Sequence, residues 1–292
     1  MLHNAFLACG ARHMFLVNSA HTSEAKALSY YDSSTRDLLN ALQDPNRDIV
    51  ICATTAVILN VYELMGERAL QRMNHIAGAR ALIKECRWSA RASGVGAACF
   101  WLNVGMEVLS CLHFNWQVAW NPDEWGVDMN FSPEQANNRE ELWTHRMLYI
   151  VGKICNFRAV ASRKSDSDPQ AEAFRKNTLF EQWKHLKGLA DSWDQCVPRT
   201  MQPMSHIHAW RTRNQSSFPE IWLIKRTSIV ARLFYHTAMV LLAQTNPYIP
   251  VNVPGEMQEL QRHHSVQICG IVRHTKDRDV FLVSLIDRAL LI

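Results

Sequence analysis

Paired cysteines are missing from this 292-residue chain. Its eight cysteines are spread from Cys9 to Cys269, and no two of them lie within three residues of each other. This spacing excludes zinc knuckles, zinc ribbons and thioredoxin-like sites, which all need a C-x-x-C pair. Thiols dispersed among apolar helical segments are typical of a reducing compartment, so we expect the protein in the nucleus or the cytosol.

A strong excess of one charge and long apolar runs are also missing. The chain has 31 Lys and Arg against 27 Asp and Glu, which gives a net charge of +4. Nucleic-acid backbones require several cations on one surface, and no such cluster is visible, so we expect this chain to make no direct contact with DNA. The longest apolar run, residues 49–59, is too short to cross a bilayer, and we expect no membrane association.

Alternating strand patterns and internal repeats are absent, whereas helical periodicity covers most of the chain. We predict an all-α fold, a single multi-helix bundle or array with one irregular, tryptophan-rich loop. Asp44 before Pro45 predicts a helix start, and the next helix is apolar nearly all round, which predicts a central position. Residues 197–219 hold three prolines and no periodicity, which predicts a surface loop or a hinge.

The N-terminal segment carries apolar side chains at helical spacing, namely Leu2, Phe6, Cys9, Phe15 and Leu16. This pattern predicts an amphipathic helix. No basic stretch precedes the apolar residues and no clean cleavage site follows them, so the segment does not match a secretory signal peptide.

Catalytic motifs are absent as well. The chain has no H-E-x-x-H, no phosphate-binding G-x-x-x-x-G-K-[ST] and no nucleophile motif G-x-S-x-G. The acid pairs Asp123–Glu124 and Glu140–Glu141 do not repeat at the helical spacing that aims several carboxylates at one metal. The thirteen histidines show no metal-ligand spacing. We therefore predict that the chain is not an enzyme and holds neither metal nor cofactor.

A tryptophan-rich loop, residues 115–131, lies where the helical pattern fails. In one interpretation its rings form a lid over the helices, with indole N–H groups bonded to loop carbonyls. In the other interpretation they wall a ligand pocket that has an acidic anchor. The candidate pocket residues are Trp116, Trp120, Asp123 and Trp125, with Glu124 or Asp128 as further anchors.

Four segments carry a family resemblance: ALQDPNRDIVICATTAVILNVYELM (41–65), ERALQRMNHIAGARALIKECRW (67–88), GAACFWLNVGMEVLSCLHFNWQVAWNPDEWGVDM (96–129) and SVQICGIVRHTKDR (265–278). In this order they resemble the helical C-terminal regulatory domain of fungal zinc-cluster transcription factors. The resemblance extends over residues 1–277.

The resemblance implies a nuclear regulator of transcription by RNA polymerase II. In this family the helical domain restrains or tunes activation, and in some members it senses small molecules. Family members hold zinc in an N-terminal binuclear cluster of six cysteines, which this chain lacks, so zinc and DNA binding are expected only from a module outside it. After residue 278 the chain departs from the family pattern. We expect both ends to be those of a fragment, an abridged gene model or a truncated paralogue.

We therefore expect one helical regulatory domain over residues 1–292. It would act through protein contacts, with a full-length relative or the transcription machinery, in the control of a secondary-metabolite gene cluster. Two alternatives stay open. The chain could be a small-molecule-sensing module whose pocket is bordered by the tryptophan-rich loop and residues 197–219. It could also be an enzyme of a metabolic cluster whose site no motif marks.

Overall fold

The computed structural model describes residues 1–17, 23–66, 75–132, 140–162, 168–212, 216–249 and 254–275. Nine α-helices and one two-stranded sheet occur within these ranges, so the all-α prediction is confirmed. The chain separates into two compact units, Met1–Glu107 and Val108–Ile292. The division falls inside the helix Gly94–Phe114, whereas the sequence places its candidate hinge at residues 197–219.

The first unit is an array of helices around one central helix. It contains α1 (Leu2–Val17), α2 (Glu24–Leu42), α3 (Ile49–Leu64), α4 (His75–Glu85) and the beginning of α5 (Gly94–Phe114). α3 contacts α1, α2 and α4, and most of its side chains are buried. A helix that is apolar on nearly all sides needs neighbours on nearly all sides, which explains its central position.

The start of α3 lies one turn later than the sequence predicts. The Asp48 carboxylate accepts hydrogen bonds from the backbone N–H groups of Val50 and Ile51, at 3.0 and 3.1 Å, and so caps the helix. Asp44 instead accepts a hydrogen bond from the backbone N–H of Asn46, at 2.8 Å, in the preceding turn. Both aspartates satisfy the capping pattern, and only the one that precedes the buried apolar run begins the helix.

α1 buries small residues and leaves some of its large apolar residues exposed. Its buried positions are Ala5, Ala8 and Arg12, whereas Phe6 and Leu16 are exposed. The short alanine side chains allow α1 to lie close against α2 and α3, which it contacts most. The sequence identifies the helix, and the tertiary contacts decide its inward face, since small residues can form the contact face when helices approach closely.

The second unit is built around α8. It contains α6 (Glu140–Ala161), α7 (Pro169–Cys196), α8 (Arg226–Gln244) and α9 (Glu256–His274), and α8 contacts each of the other three. The Trp193 indole N–H donates to the backbone carbonyl of Trp143 at 2.8 Å, and the Trp193 ring stacks on Tyr235 with a centroid separation of 5.5 Å. These large rings fill the space where α6, α7 and α8 meet.

A short antiparallel ribbon accompanies these helices. β1 (Ser205–Ile207) pairs with β2 (Glu220–Trp222), so that Ser205 lies opposite Trp222 and Ile207 opposite Glu220. The sequence predicts no strand here, because three-residue strands are too short to show an alternating pattern. Gly270 of α9 lets the chain before β2 lie against the helix, since a Cβ at this position would be 2.7 Å from the carbonyl oxygen of Pro219.

Among the described residues, α5 is the one helix long and apolar enough to cross a membrane. Of its most apolar window, 67% is buried inside the protein, and core helices of soluble proteins share this property. The divergent segment after residue 278 lies outside the described residues.

Candidate functional site

The tryptophan-rich loop begins where α5 ends, at Phe114. Asn115 has a positive φ of 55° and turns the chain out of the helix. Trp116 then stacks on Phe114, with ring centroids 4.5 Å apart, and 60% of its surface remains exposed. Trp116 therefore lies on the surface of the second unit, on the last turn of α5.

The two other tryptophans of the loop are buried. The Trp125 indole N–H donates to the backbone carbonyl of Trp120 at 3.1 Å, inside the loop itself. Trp125 lies against the backbone of α6 at Gly152, where a Cβ would come within 3.0 Å of the ring. This glycine makes room for the indole, and the loop is held on α6 by the contact.

Asp123 fastens the same loop to α6 by charge. Its carboxylate accepts a hydrogen bond from the Tyr149 hydroxyl and one from the Lys153 ammonium, each at 2.7 Å. The Lys153 hydrogen bond, and then that of Tyr149, lowers the pKa of Asp123. Burial, and then the hydrogen bond to Asp123, raises the pKa of Tyr149. The carboxylate stays charged at neutral pH and is already occupied by two donors.

Asp128 closes the loop in a similar way. Arg146 of α6 is fully buried, and its Nε–H donates to the backbone carbonyl of Asp128 at 2.7 Å. The Asp128 carboxylate lies 3.8 Å from the same guanidinium, which also faces the rings of Phe131 and Trp143. Burial lowers the pKa of Arg146, and Asp128 opposes this effect.

These contacts favour the lid interpretation of the loop. Of the four candidate pocket residues, the structure brings Trp120, Asp123 and Trp125 together on α6 and leaves Trp116 on Phe114. Two rings are buried in protein contacts, and of the acidic anchors Asp123 is engaged by tyrosine and lysine and Asp128 by arginine. A ligand at these residues would have to displace interactions that the fold already uses.

A cleft that the sequence does not mark lies elsewhere in the second unit, where β2 and the start of α8 face the end of α9. We call it the α9 cleft; its volume is about 480 Å³. Its wall includes Met204, Ile221, Trp222, Ile229, Ile271 and His274. Met204 belongs to residues 197–219, whereas no residue of the tryptophan-rich loop lines the α9 cleft.

A buried histidine pair joins α8 to α9. The Nδ1 atoms of His236 and His264 are 2.8 Å apart, so one of them donates a hydrogen and the other accepts it. Burial, followed by the charge of His263, lowers the pKa of His264 to about 4. Burial, and then the charge of His264, lowers the pKa of His236. Both rings are neutral at pH 7, and protonation of both would leave two donors facing each other.

No metal site accompanies these histidines in the ranges that the structure covers, since no group of three or more His, Cys, Asp or Glu side chains there could hold an ion. The histidine pair and the α9 cleft are products of contacts between distant parts of the chain. Comparison with known proteins adds no assignment: no protein-family model, curated protein or solved structure matches the chain.

Proposed function

We propose that the chain is the helical regulatory domain of a fungal zinc-cluster-type transcription regulator, and that it acts in the nucleus through contacts with other proteins. The proposal is supported by the sequence resemblance in residues 41–129 and 265–278. The observation that carries the mode of action is the outward face of α1, whose large apolar side chains are exposed.

The outward face of α1 has the side chains of a binding surface. Phe6 is 54% exposed, Val17 is 71% exposed, and Met14 lies between them along the helix with about half of its surface exposed. These positions are eight and three residues apart, so they share one face of the helix. Apolar side chains grouped on one exposed face mark sites of protein interaction.

The charged residues of α1 also support the outward face as a binding surface. The helix contains no Asp, Glu or Lys, and its single arginine, Arg12, is directed inward and forms an ion pair with Glu24. Burying the outward face against a partner would therefore remove no permanent charge of α1 from water, and burying an unpaired charge is costly. Gly10 lies on this face with no atom within 4 Å of a Cβ position, which would allow a partner helix to approach closely.

A tethering experiment tests the proposal directly. The full chain is fused to an unrelated DNA-binding domain in fungal cells, and transcription of a reporter that carries the matching site is measured. We expect the fusion to change reporter transcription several-fold in either direction. The double substitution Phe6→Ser with Val17→Ser should bring transcription back toward the level of the DNA-binding domain alone, because it removes the apolar contacts.

The control is Phe174→Ser, since Phe174 is a phenylalanine of similar exposure, 75%, on α7 of the other unit. This variant should behave as the parent chain does. A fusion without any effect, or one whose effect survives the double substitution, would contradict the proposal.

Sequence-specific DNA binding by this chain would also contradict the proposal. We expect the purified chain to show no sequence-specific binding to duplex DNA at physiological salt, measured by fluorescence anisotropy. The net charge of +4 supplies few phosphate contacts compared with the number that DNA-binding proteins use.

A further inference from the structure

Two exposed histidines, His206 of β1 and His208 just after it, lie on the same side of the chain. The backbone stays extended through His208, which has φ −60° and ψ 147°. Residues two apart in an extended segment point to one side, whereas in a helix they point to different faces. The two imidazole rings accordingly lie together, with centroids 5.2 Å apart. The sequence predicts no metal ligands here, because this spacing suits a strand and not a helix.

The pairing of β1 with β2 directs His206 toward α9. His206 lies opposite Ile221, so the two side chains are on the same face of the ribbon. Ile221 is buried, and its Cδ1 atom lies 3.0 Å from the position of a Cβ at Gly270 of α9. His206 contacts the same helix about one turn earlier, at Gln267, where the Nε2 atoms of the two side chains are 3.3 Å apart.

The contact with Gln267 places a nitrogen lone pair of His206 at Nε2. An amide nitrogen can only donate a hydrogen bond, so the Nε2 atom of His206 accepts it and is unprotonated. Metal ions bind this unprotonated nitrogen of a neutral imidazole. A half-turn of the Gln267 amide would bring its oxygen to the place of its nitrogen without moving the backbone, and amide oxygens are metal ligands.

Both distances fit a single tetrahedral ion. Ligand atoms held at about 2.0–2.2 Å in tetrahedral geometry are about 3.3–3.6 Å apart, and imidazole rings bound in this way have centroids about 5 Å apart. The structure has 3.3 Å between His206 and Gln267 and 5.2 Å between the rings of His206 and His208. Two histidines and an amide form this set, so it differs from groups of three or more His, Cys, Asp or Glu side chains, of which the described residues hold none.

The surroundings of the two rings favour a site that is open to solvent. The His208 ring lies parallel to the ring of Trp210, with centroids 6.1 Å apart, and this contact orients it. The Arg211 guanidinium lies over the same indole, 4.4 Å from its centroid, so the neighbourhood is positive and the affinity should be moderate. We propose that His206, His208 and Gln267 bind a divalent transition-metal ion of the class that imidazole prefers, such as Zn²⁺, and thereby fasten β1 to α9.

This site does not depend on the proposed role in transcription, because it lies in the second unit and involves no residue of α1. Isothermal titration calorimetry of the full chain with Zn²⁺ and with Mg²⁺ tests it. The titrations use a Cys196→Ser background, since Cys196 is the exposed cysteine and could bind zinc by itself. We expect Zn²⁺ to bind at least about tenfold more tightly than Mg²⁺, which prefers oxygen ligands.

Substitutions assign the ion to these side chains. His206→Ala and His208→Ala should each weaken Zn²⁺ binding at least about tenfold, and Gln267→Leu should weaken it several-fold, because each removes one ligand. The two histidines are exposed, so the fold should tolerate their replacement. His185→Ala is the matched control, since His185 is an exposed histidine of α7 in the same unit, and it should leave the affinity unchanged.

Co²⁺ in place of Zn²⁺ reports the ligand atoms by its absorption spectrum. We expect the visible bands of a tetrahedral ion without a sulfur-to-cobalt charge-transfer band. Three results would overturn the proposal: a Zn²⁺ affinity no higher than that for Mg²⁺, an affinity that any of the three ligand substitutions leaves unchanged, and a charge-transfer band, which would assign the ion to thiolates. None of these results bears on the tethering experiment, whose variants lie in α1.

Discussion

α1 of the first unit and α8 of the second unit bury opposite kinds of residue. α1 directs Ala5 and Ala8 inward and leaves Phe6 and Val17 in water, whereas α8 buries nearly every residue from Ser228 to Ala243, with Leu233 at its centre. Both helices are rich in apolar residues. The difference teaches that the apolar content of a helix does not determine which of its residues the fold buries.

Leu233→Ala in α8 should show the largest effect on stability. Leu233 is fully buried, so the substitution removes its contacts and leaves a cavity. We expect the free energy of unfolding to fall by about 2–5 kcal/mol. Urea unfolding followed by circular dichroism measures it, with the same substitution at the exposed Leu39 of α2 as control. Comparable losses at Leu233 and Leu39 would show that α8 is not the buried centre.

Two glycine substitutions, one in each unit, should change stability in opposite directions. Gly152→Ala places a methyl group 3.0 Å from the Trp125 ring and should lower stability by about 1–3 kcal/mol. Gly10→Ala meets no atom within 4 Å on the exposed face of α1 and should raise stability by up to about 1 kcal/mol, because alanine favours the helix. Thermal unfolding of both variants measures these changes in stability. A stabilising Gly152→Ala would mean that Trp125 does not lie on α6.

Acid should act on the second unit through the histidine pair. Because the folded pKa of His264, about 4, is below the usual 6.5, the unfolded state takes up protons first as pH falls. The neutral histidine pair contributes fully to stability above pH 6.5, and this contribution is lost as the pH falls from 6.5 to 4. The loss is at most about 1.4 kcal/mol per pH unit for each histidine, and solvent screening at His264 reduces it.

The variant His264→Phe should flatten this pH dependence of the unfolding midpoint without abolishing it. His236 and His145 of α6 are the reasons for the remainder, since burial lowers the pKa of His236 and lowers that of His145 to about 4. A parent chain whose midpoint is constant between pH 6.5 and 4.5 would contradict the neutral buried pair.

The smallest effect on stability is expected at the outward face of α1. Phe6→Ser with Val17→Ser should change the free energy of unfolding by less than about 0.5 kcal/mol per site, because both side chains are already in water. Urea unfolding measures it. A loss as large as that of Leu233→Ala would show that this face is buried within the protein and would remove the basis for a binding surface there.

Much of the fold could be predicted from local pattern. Periodicity gives the existence of α3, α6 and α9 because an amphipathic or apolar helix repeats its signal over many residues. Helix boundaries are harder to predict. Asp44 and Asp48 both satisfy the capping rule, and Asp48 begins the helix because the buried residues follow it. β1 and β2 are too short to carry any pattern and exist because they pair with each other.

The candidate site shows the same limit. The three tryptophans and Asp123 stand out in the sequence because a loop interrupts the helices there, and one interpretation of them was a lid with indole N–H groups on loop carbonyls. The hydrogen bond from Trp125 to Trp120 agrees with that interpretation. The α9 cleft, by contrast, combines residues from positions 204 to 275 that are unremarkable singly, and no local signal could have identified it.

The sequence by itself determined the helical class, the apolar centre formed by α3 and the dispersed thiols, because each follows from spacing and composition along a short stretch of chain. Only the tertiary structure decided which face of α1 meets water, which atoms hold Asp123 and which histidine nitrogens pair with each other. These depend on packing between residues far apart in sequence, where a single glycine such as Gly152 or Gly270 sets how closely two segments approach. The sequence shows that a residue is apolar, whereas only the tertiary contacts show what that residue touches.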